Sequence, residues 1–176
     1  MSIHESQLAG LRAFGYTEAE ARFLYLVAVH SGYFTVRQFL DSAHAKSGKR
    51  NARFVEKLFR LGHATAQRYT RRSLVYQLCS RRIYEAIGKA HLRNRREHEL
   101  DYIKTRLLAL DFILANPEDR YFETAEEKRR YLLERFKISE SLFSPPGDHG
   151  KVITFSEGFP LCVAYPAPEY LSLIHI

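Results

Sequence analysis

The chain is poor in cysteine and has no long apolar run, and these two shortages limit the classes of protein to which it can belong. Cys79 and Cys162 are its only cysteines, and neither lies in a CxxC motif. Such usage favours a reducing cytoplasm and argues against a disulfide scaffold. No run of about 18 apolar residues occurs, which argues against a membrane-spanning helix. The N-terminal MSIHESQLAG lacks the cationic start and the apolar stretch of a secretion signal.

Motifs of catalysis and metal binding are also missing. The segment PPGDHGK lacks the GxxxxGK[ST] spacing of a phosphate-binding loop, and no GxSxG elbow marks a nucleophilic serine. His91 and His98 are seven residues apart, whereas two histidine ligands on one helix are usually three or four residues apart. We therefore expect no metal, no cofactor and no catalytic residue.

Acidic residues are scarce in the middle of the chain. Between Lys46 and Arg106 there are 17 Lys and Arg residues against 5 Asp and Glu, a net charge of +12 in a protein whose total is +7. A basic balance favours a polyanionic partner, either nucleic acid or an acidic membrane surface. Because the remaining residues are net acidic, we expect the partner to contact this middle block.

Capping signals and periodicity predict three helices followed by a hairpin. Thr17 and Glu20 form a capping box, Gly32 is the predicted stop, and Thr35 caps a second, short helix. The third helix is GKRNARFVEKLFRLG, from Gly48 to Gly62. ATAQRY and SLVYQLC then predict two strands around the polar turn TRRS. This order is the plan of a winged helix-turn-helix domain, in which the third helix enters the DNA major groove.

The third helix divides into two faces. At about 100° per residue, four cations fall within a sector about 80° wide: Arg50, Arg53, Lys57 and Arg60. An apolar sector is centred about 110° away and holds Phe54, Leu58 and Leu61, with Val55 at its margin. We expect the apolar face to pack on the preceding helices and the cationic face to meet the duplex.

Nine residues are the predicted DNA contacts. Arg50 and Arg53 suit guanine edges, and Asn51 reaches adenine only if the first turn projects beyond the core. The remaining six are expected at the phosphate backbone or, for those of the hairpin, at the backbone or the minor groove: Lys49, Lys57 and Arg60 on the helix, Arg68 just before the hairpin turn, and Arg71 and Arg72 at that turn.

The same stretch resembles known DNA-binding domains. YTEAEARFLYLVAVHSGYFTVRQFL, RFVEKLFRLGHATAQRY and LVYQLCSRRIYEAIG are similar to the winged helices of bacterial transcriptional regulators, over Thr17 to Lys89. The hairpin that ends in an apolar strand and a new helix also resembles replication-relaxation proteins of plasmids and integrative mobile elements. The resemblance implies DNA binding and no catalytic role, with the contacts at the positions Lys49, Arg50, Asn51, Arg53 and Lys57.

The second half of the chain is predicted to extend this domain. A long amphipathic helix is expected from about His91 to Ala115, and Thr124 begins another that runs to Phe136. The apolar stripe of the long helix packs either on that following helix or on its copy in a homodimer. From Ser144 a turn-rich linker leads to strand-like segments that resemble the start of a truncated module. The final LSLIHI resembles adapter read-through, with a genuine apolar tail as the alternative.

These observations predict a mainly α protein with a small β-hairpin, a helical extension and a β-containing C-terminal fragment. The predicted divisions are 1–90 for the winged helix, 91–140 for the extension and 141–176 for the linker and truncated module. The predicted function is binding of double-stranded DNA, as a transcriptional or replication regulator of a bacterial mobile element in the cytoplasm. A DNA-processing enzyme whose catalytic domain is largely missing from this chain and a protein-interaction module are the alternatives.

Overall fold

The computed structural model describes residues 3–44, 48–68, 74–122, 125–137 and 164–165. The chain divides into two units, residues 2–116 and residues 117–176, the latter grouped with Met1. The first unit holds six α-helices and three strands in its described part: α1 Glu5–Arg12, α2 Glu18–Leu26, β1 Tyr33–Phe34, α3 Val36–Ser42, α4 Lys49–Arg60, β2 Ala64–Arg68, β3 Leu74–Leu78, α5 Arg81–Ala86 and α6 Leu100–Ala115.

The fold class is as predicted, mainly α-helical with a small antiparallel sheet. The hairpin strands β2 and β3 pair from Ala64 opposite Leu78 to Arg68 opposite Leu74. The short strand β1, which the sequence did not indicate, pairs with the other edge of β3 and gives the order β1–β3–β2. Two residues are too few to produce a visible alternation of apolar and polar positions, so this strand has no sequence signal of its own.

The predicted starts of α2 and α3 are confirmed. The Thr17 hydroxyl accepts a hydrogen bond from the Glu20 amide, and the Glu20 carboxylate accepts one from the Thr17 amide at 2.8 Å. Thr35 and Gln38 form the same reciprocal pair. Each box satisfies amide groups that have no partner within the helix, so both helices begin where the sequence indicated.

The end of α2 is unusual. The helix continues into a π turn, Val27–Ser31, and stops at Gly32, whose φ of +81° is left-handed. The Asn94 side chain donates hydrogen bonds to the carbonyls of Ala28 and Val29, at 3.0 and 2.9 Å. A helix end leaves carbonyls without donors, and here a residue from a distant segment supplies them.

Four phenylalanines, one from each surrounding element, form the centre of the core. Phe39 of α3 stacks on Phe54 of α4 with ring centroids 4.0 Å apart, and Phe23 of α2 meets both edge-on. Phe34 of β1 completes the cluster at 5.3 Å from Phe23. All four rings are fully buried, and aromatic burial of this kind is among the larger contributions to a core. The cluster joins α2, α3 and α4 directly.

The sheet is covered on both faces, which explains why β3 is buried along most of its length. Tyr76 points to the helical core, where it stacks on Phe34 at 5.2 Å. Val75 lies on the opposite face with Tyr33 and with Ile103 of α6. A strand buried on both faces reads as a near-continuous apolar run rather than an alternating one, as LVYQLC does.

The predicted long helix is wrong in its first third, because α6 begins only at Leu100. The preceding residues form an irregular segment whose carbonyls are used by the sheet. Gln77 donates to the carbonyls of Arg95 and Arg96 at 3.1 and 2.7 Å, and the Tyr33 hydroxyl lies 3.0 Å from the same Arg96 carbonyl. The Arg96 carbonyl has two lone pairs, and both are engaged in this way, so it does not also accept from the amide of a following helical turn.

Residues 91–116 belong to the first unit, so the division differs from the boundary expected at residue 90. Nη2 of Arg37 on α3 donates to both carboxylate oxygens of Asp111 on α6, at 2.7 and 2.8 Å. Gln38 donates to the Leu107 carbonyl and to the same carboxylate. These polar contacts attach α6 to α3, and the buried part of its apolar stripe therefore packs within the unit. The homodimer remains a prediction.

The second unit is described only in part. Its strands β4 Arg120–Tyr121 and β5 Ala164–Tyr165 form an antiparallel pair, and its helix α7 spans Ala125–Phe136. The ring of Phe122 lies 4.9 Å from that of Tyr131 on α7. The predicted cap Thr124, the linker from Ser144 and the terminal residues 171–176 lie outside the described residues.

Candidate nucleic-acid interface

The surface of α4 carries the best candidate site. Phe54 and Leu58 are fully buried, whereas the side chains of Lys49, Arg53 and Arg60 are exposed. At about 100° per residue these three cationic positions fall within about 40° of one another, on the side of the helix opposite the core. The predicted division of α4 into a buried apolar flank and an exposed cationic flank is therefore present at these five positions.

Lys57 departs from the prediction. Its ammonium lies 2.7 Å from a carboxylate oxygen of Glu20 and donates to the Gly15 carbonyl at 2.8 Å. It also lies 5.1 Å from the centre of the Tyr16 ring. Only 19% of the Lys57 side chain is exposed, so most of this side chain contacts the protein. The position lies on the core side of the cationic sector, about 80° from that of Lys49.

Asn51 has a local role in the structure. Its side-chain oxygen accepts a hydrogen bond from the Gly48 amide at 2.9 Å, and the side chain is half-buried. This bond stabilises the first turn of α4, where backbone amides lack helical partners. Arg50 lies in the same turn, but its side chain is outside what the structure describes. The predicted contacts of Asn51 with adenine and of Arg50 with guanine stay predictions.

The hairpin contributes one described cation. Arg68 is exposed and lies directly opposite Leu74 in the register, so both side chains point to the same face of the sheet. That face also carries Tyr76, whose ring centroid is 6.0 Å from that of Phe59 on α4. Arg68 is therefore on the α4 side of the hairpin. Arg71 and Arg72 lie outside the described residues.

A buried polar network supports α4 from behind. The Tyr16 hydroxyl and Nδ1 of His63 are joined by a hydrogen bond of 2.8 Å, and the His63 ring is fully buried. Burial, together with the Arg82 guanidinium, lowers the pKa of His63. Burial and the Glu20 carboxylate raise the pKa of Tyr16 well above its usual value. Both groups are accordingly neutral near pH 7, and the network places the end of α4 against the turn before α2.

The sequence predicts the capping role of Glu20 but not its ion pair with Lys57. Glu20 was recognised as a capping residue, yet its second partner, Lys57, is 37 residues away along the chain. The sequence analysis does not single out the exposed Phe59 either. Its position, about 100° beyond the apolar sector, indicates an apolar side chain outside the buried face. A residue spacing predicts which side chains share a face, but it cannot predict an ion pair between two helices.

Neither a metal site nor a membrane span is seen in the described part of the chain. It contains no group of three or more His, Cys, Asp and Glu side chains arranged to hold a metal ion. None of its helices is both long enough and apolar enough to cross a bilayer.

Comparison with protein-family models, with curated proteins and with solved structures found no match for this chain. The resemblance to bacterial winged helices therefore rests on the residues themselves.

Proposed function

We propose that residues 2–116 form a winged helix-turn-helix domain that binds double-stranded DNA, with α4 in the major groove and the β2–β3 hairpin against the flanking backbone. The order of the elements supports this proposal: α2, β1, α3, α4, β2 and β3, with a sheet ordered β1–β3–β2. Helix-turn-helix domains place one helix in the major groove and use the others to hold it.

The observation that carries the proposal is the exposed cationic flank of a helix whose other flank is held firmly. Lys49, Arg53 and Arg60 are exposed, while Phe54 packs in the aromatic core and Lys57 pairs with Glu20. A helix that reads a groove needs a fixed pose and a free surface, because the base and phosphate positions are set by the duplex. In this proposal Lys57 is a positioning residue and no longer a phosphate contact.

We further propose a regulatory role in transcription or replication of a bacterial mobile element, acting in the cytoplasm. Binding then involves no bond made or broken, and its affinity comes mainly from phosphate contacts. Two cysteines without a CxxC motif support a reducing compartment. The net charge of +12 between Lys46 and Arg106 supports a polyanionic partner.

The test is a salt titration on duplexes selected from a random pool by the unaltered chain. Arg53→Ala with Arg60→Ala should weaken binding and reduce the slope of log K against log salt by about 0.9, since Arg60 is the expected phosphate contact and each such contact contributes about 0.9. Loss of Arg53, the expected guanine contact, should reduce the discrimination between duplexes. The matched control is Arg22→Ala with Arg81→Ala, which removes the same charge from the exposed surfaces of α2 and α5. The proposal is rejected if the unaltered chain selects no duplex from the pool, or if the affinity falls equally in both double variants.

A further inference from the structure

An exposed apolar strip lies between α4 and the hairpin. It consists of Phe59 and Leu74, which are 45% and 47% exposed. The Phe59 ring lies against Tyr76, and Leu74 comes two residues before Tyr76 on β3, so that its side chain points to the same face. Two large apolar side chains from different elements therefore share one surface.

An exposed arginine lies next to each member of the apolar strip along the chain or across the hairpin, and the exposed Glu56 lies one turn before Phe59 on α4. Arg60 follows Phe59 on α4, and Arg68 lies opposite Leu74 in the hairpin register. Both arginines are exposed. A partner that fits this surface must present anionic groups and apolar groups within a few ångströms of one another. The backbone of a nucleic acid has this pattern, since a sugar lies between each pair of phosphates.

An apolar surface interacts differently with the two kinds of sugar. Deoxyribose has a methylene at C2′, which loses little when it packs against an aromatic ring and a leucine. Ribose has a hydroxyl there, and this hydroxyl loses its water when it meets the same apolar side chains. A contact between a sugar and an apolar surface therefore favours a DNA strand over an RNA strand.

We propose that the apolar strip of Phe59 and Leu74 packs on a deoxyribose of the bound strand and selects DNA by its missing 2′-hydroxyl. The inference rests on the proposed duplex binding and adds its sugar specificity. Because the contact is apolar, it adds affinity that does not depend on salt, whereas Arg60 and Arg68 supply the part that does.

The experiment is a ribonucleotide scan of one selected DNA duplex. Single ribonucleotides replace deoxyribonucleotides at each position in turn, and affinity is measured for the full chain. The affinity of the unaltered protein should fall about threefold or more when the ribonucleotide is at one or two positions, and it should change little at the other positions. Phe59→Ala and Leu74→Ala should each weaken binding to the all-DNA duplex, by on the order of tenfold for Phe59. They should leave the salt slope unchanged and abolish the sensitivity to the ribonucleotide.

Leu108→Ala is the matched control, because Leu108 is 51% exposed on α6 and distant in sequence from the hairpin. It should bind and respond as the unaltered chain does. Thermal unfolding of each variant checks that it folds. The inference is overturned if Phe59→Ala and Leu74→Ala bind with unchanged affinity, or if the ribonucleotide sensitivity persists in them. The inference is also overturned if these variants change only the oligomeric state of the protein in solution, because the strip is then a protein–protein contact.

The two proposals fail in distinguishable ways. Absence of duplex binding by the unaltered chain overturns the proposed function and, with it, the sugar contact that rests on it. Duplex binding that depends on Arg53 and Arg60 but not on Phe59 and Leu74 keeps the proposed function and removes the sugar contact.

Discussion

The pair of Lys57 and Glu20 offers a sharp test of how α4 is held. Replacing Lys57 by methionine keeps the length of the side chain but removes its charge. The Glu20 carboxylate then stays in a site where only 7% of its side chain is exposed, with the Thr17 amide as its described hydrogen-bond donor. The Glu20 carboxylate has then lost its ion-pair partner and is still shielded from solvent.

The expected cost follows from the burial of the two groups. Removing one member of a buried ion pair destabilises a protein by about 3–5 kcal/mol, because the other charge stays uncompensated. Lys57 is 19% exposed and Glu20 keeps its capping bond, so we expect a cost at or just below the lower end of this range, about 2–3 kcal/mol. For a unit of this size we expect the melting temperature to fall by about 10 °C.

The assay is urea unfolding at pH 7, followed by circular dichroism. Lys104→Met is the control, since Lys104 forms an exposed pair with Asp101 and such pairs contribute about 0–1 kcal/mol. The double variant with Glu20→Gln should regain most of the loss, because glutamine preserves the capping box and carries no charge. A Lys57→Met protein within 0.5 kcal/mol of the unaltered chain, roughly the scatter of surface substitutions, would refute the reasoning. A double variant no more stable than Lys57→Met would do the same.

Two further predictions concern His63 and Gly32. Burial lowers the pKa of His63 from 6.5, and its Nε2 has no partner in the described structure. The free energy of unfolding should therefore decline as the pH falls below about 6.5, by at most about 1.4 kcal/mol per pH unit. The decline should end once the pH is below the pKa of His63 in the folded state. Urea unfolding of His63→Gln between pH 7.5 and 5 should show a smaller decline, and an unchanged decline would contradict this account. Gly32→Ala places a methyl carbon 2.2 Å from the backbone oxygen of Asn94, whereas Gly15→Ala at the similar φ of +85° meets nothing within 4 Å. Gly32→Ala should therefore cost several kcal/mol and Gly15→Ala about 1 kcal/mol, and equal melting temperatures for the two would argue against the close approach.

Local signals were sufficient for the elements that begin and end by their own chemistry. Thr17 and Thr35 start their helices through side-chain bonds to amides three residues away, and Gly32 ends one by its left-handed conformation. The two faces of α4 follow from the spacing of its apolar residues. These features involve neighbours along the chain, so a sequence contains all the information needed to predict them.

The same local signals failed where distant residues compete for the backbone. The run before Leu100 has helical composition, yet Gln77 and Tyr33 take its carbonyls and Asn94 turns to the end of α2. Helix propensity is a weak preference per residue, and several tertiary hydrogen bonds outweigh it.

The sequence alone therefore determined two features of this protein, a basic block and a helix with one apolar and one cationic flank. Composition and residue spacing are properties of the linear chain, so no tertiary structure is needed to predict them. Which cations stay on the surface was settled only by folding. Lys57 turns inward because α2 brings Glu20 within 2.7 Å of it, while Arg53 and Arg60 stay exposed. The reason is physical: an ion pair depends on distance in space, and the distance between residues 37 positions apart exists only once both helices have packed on the phenylalanine core.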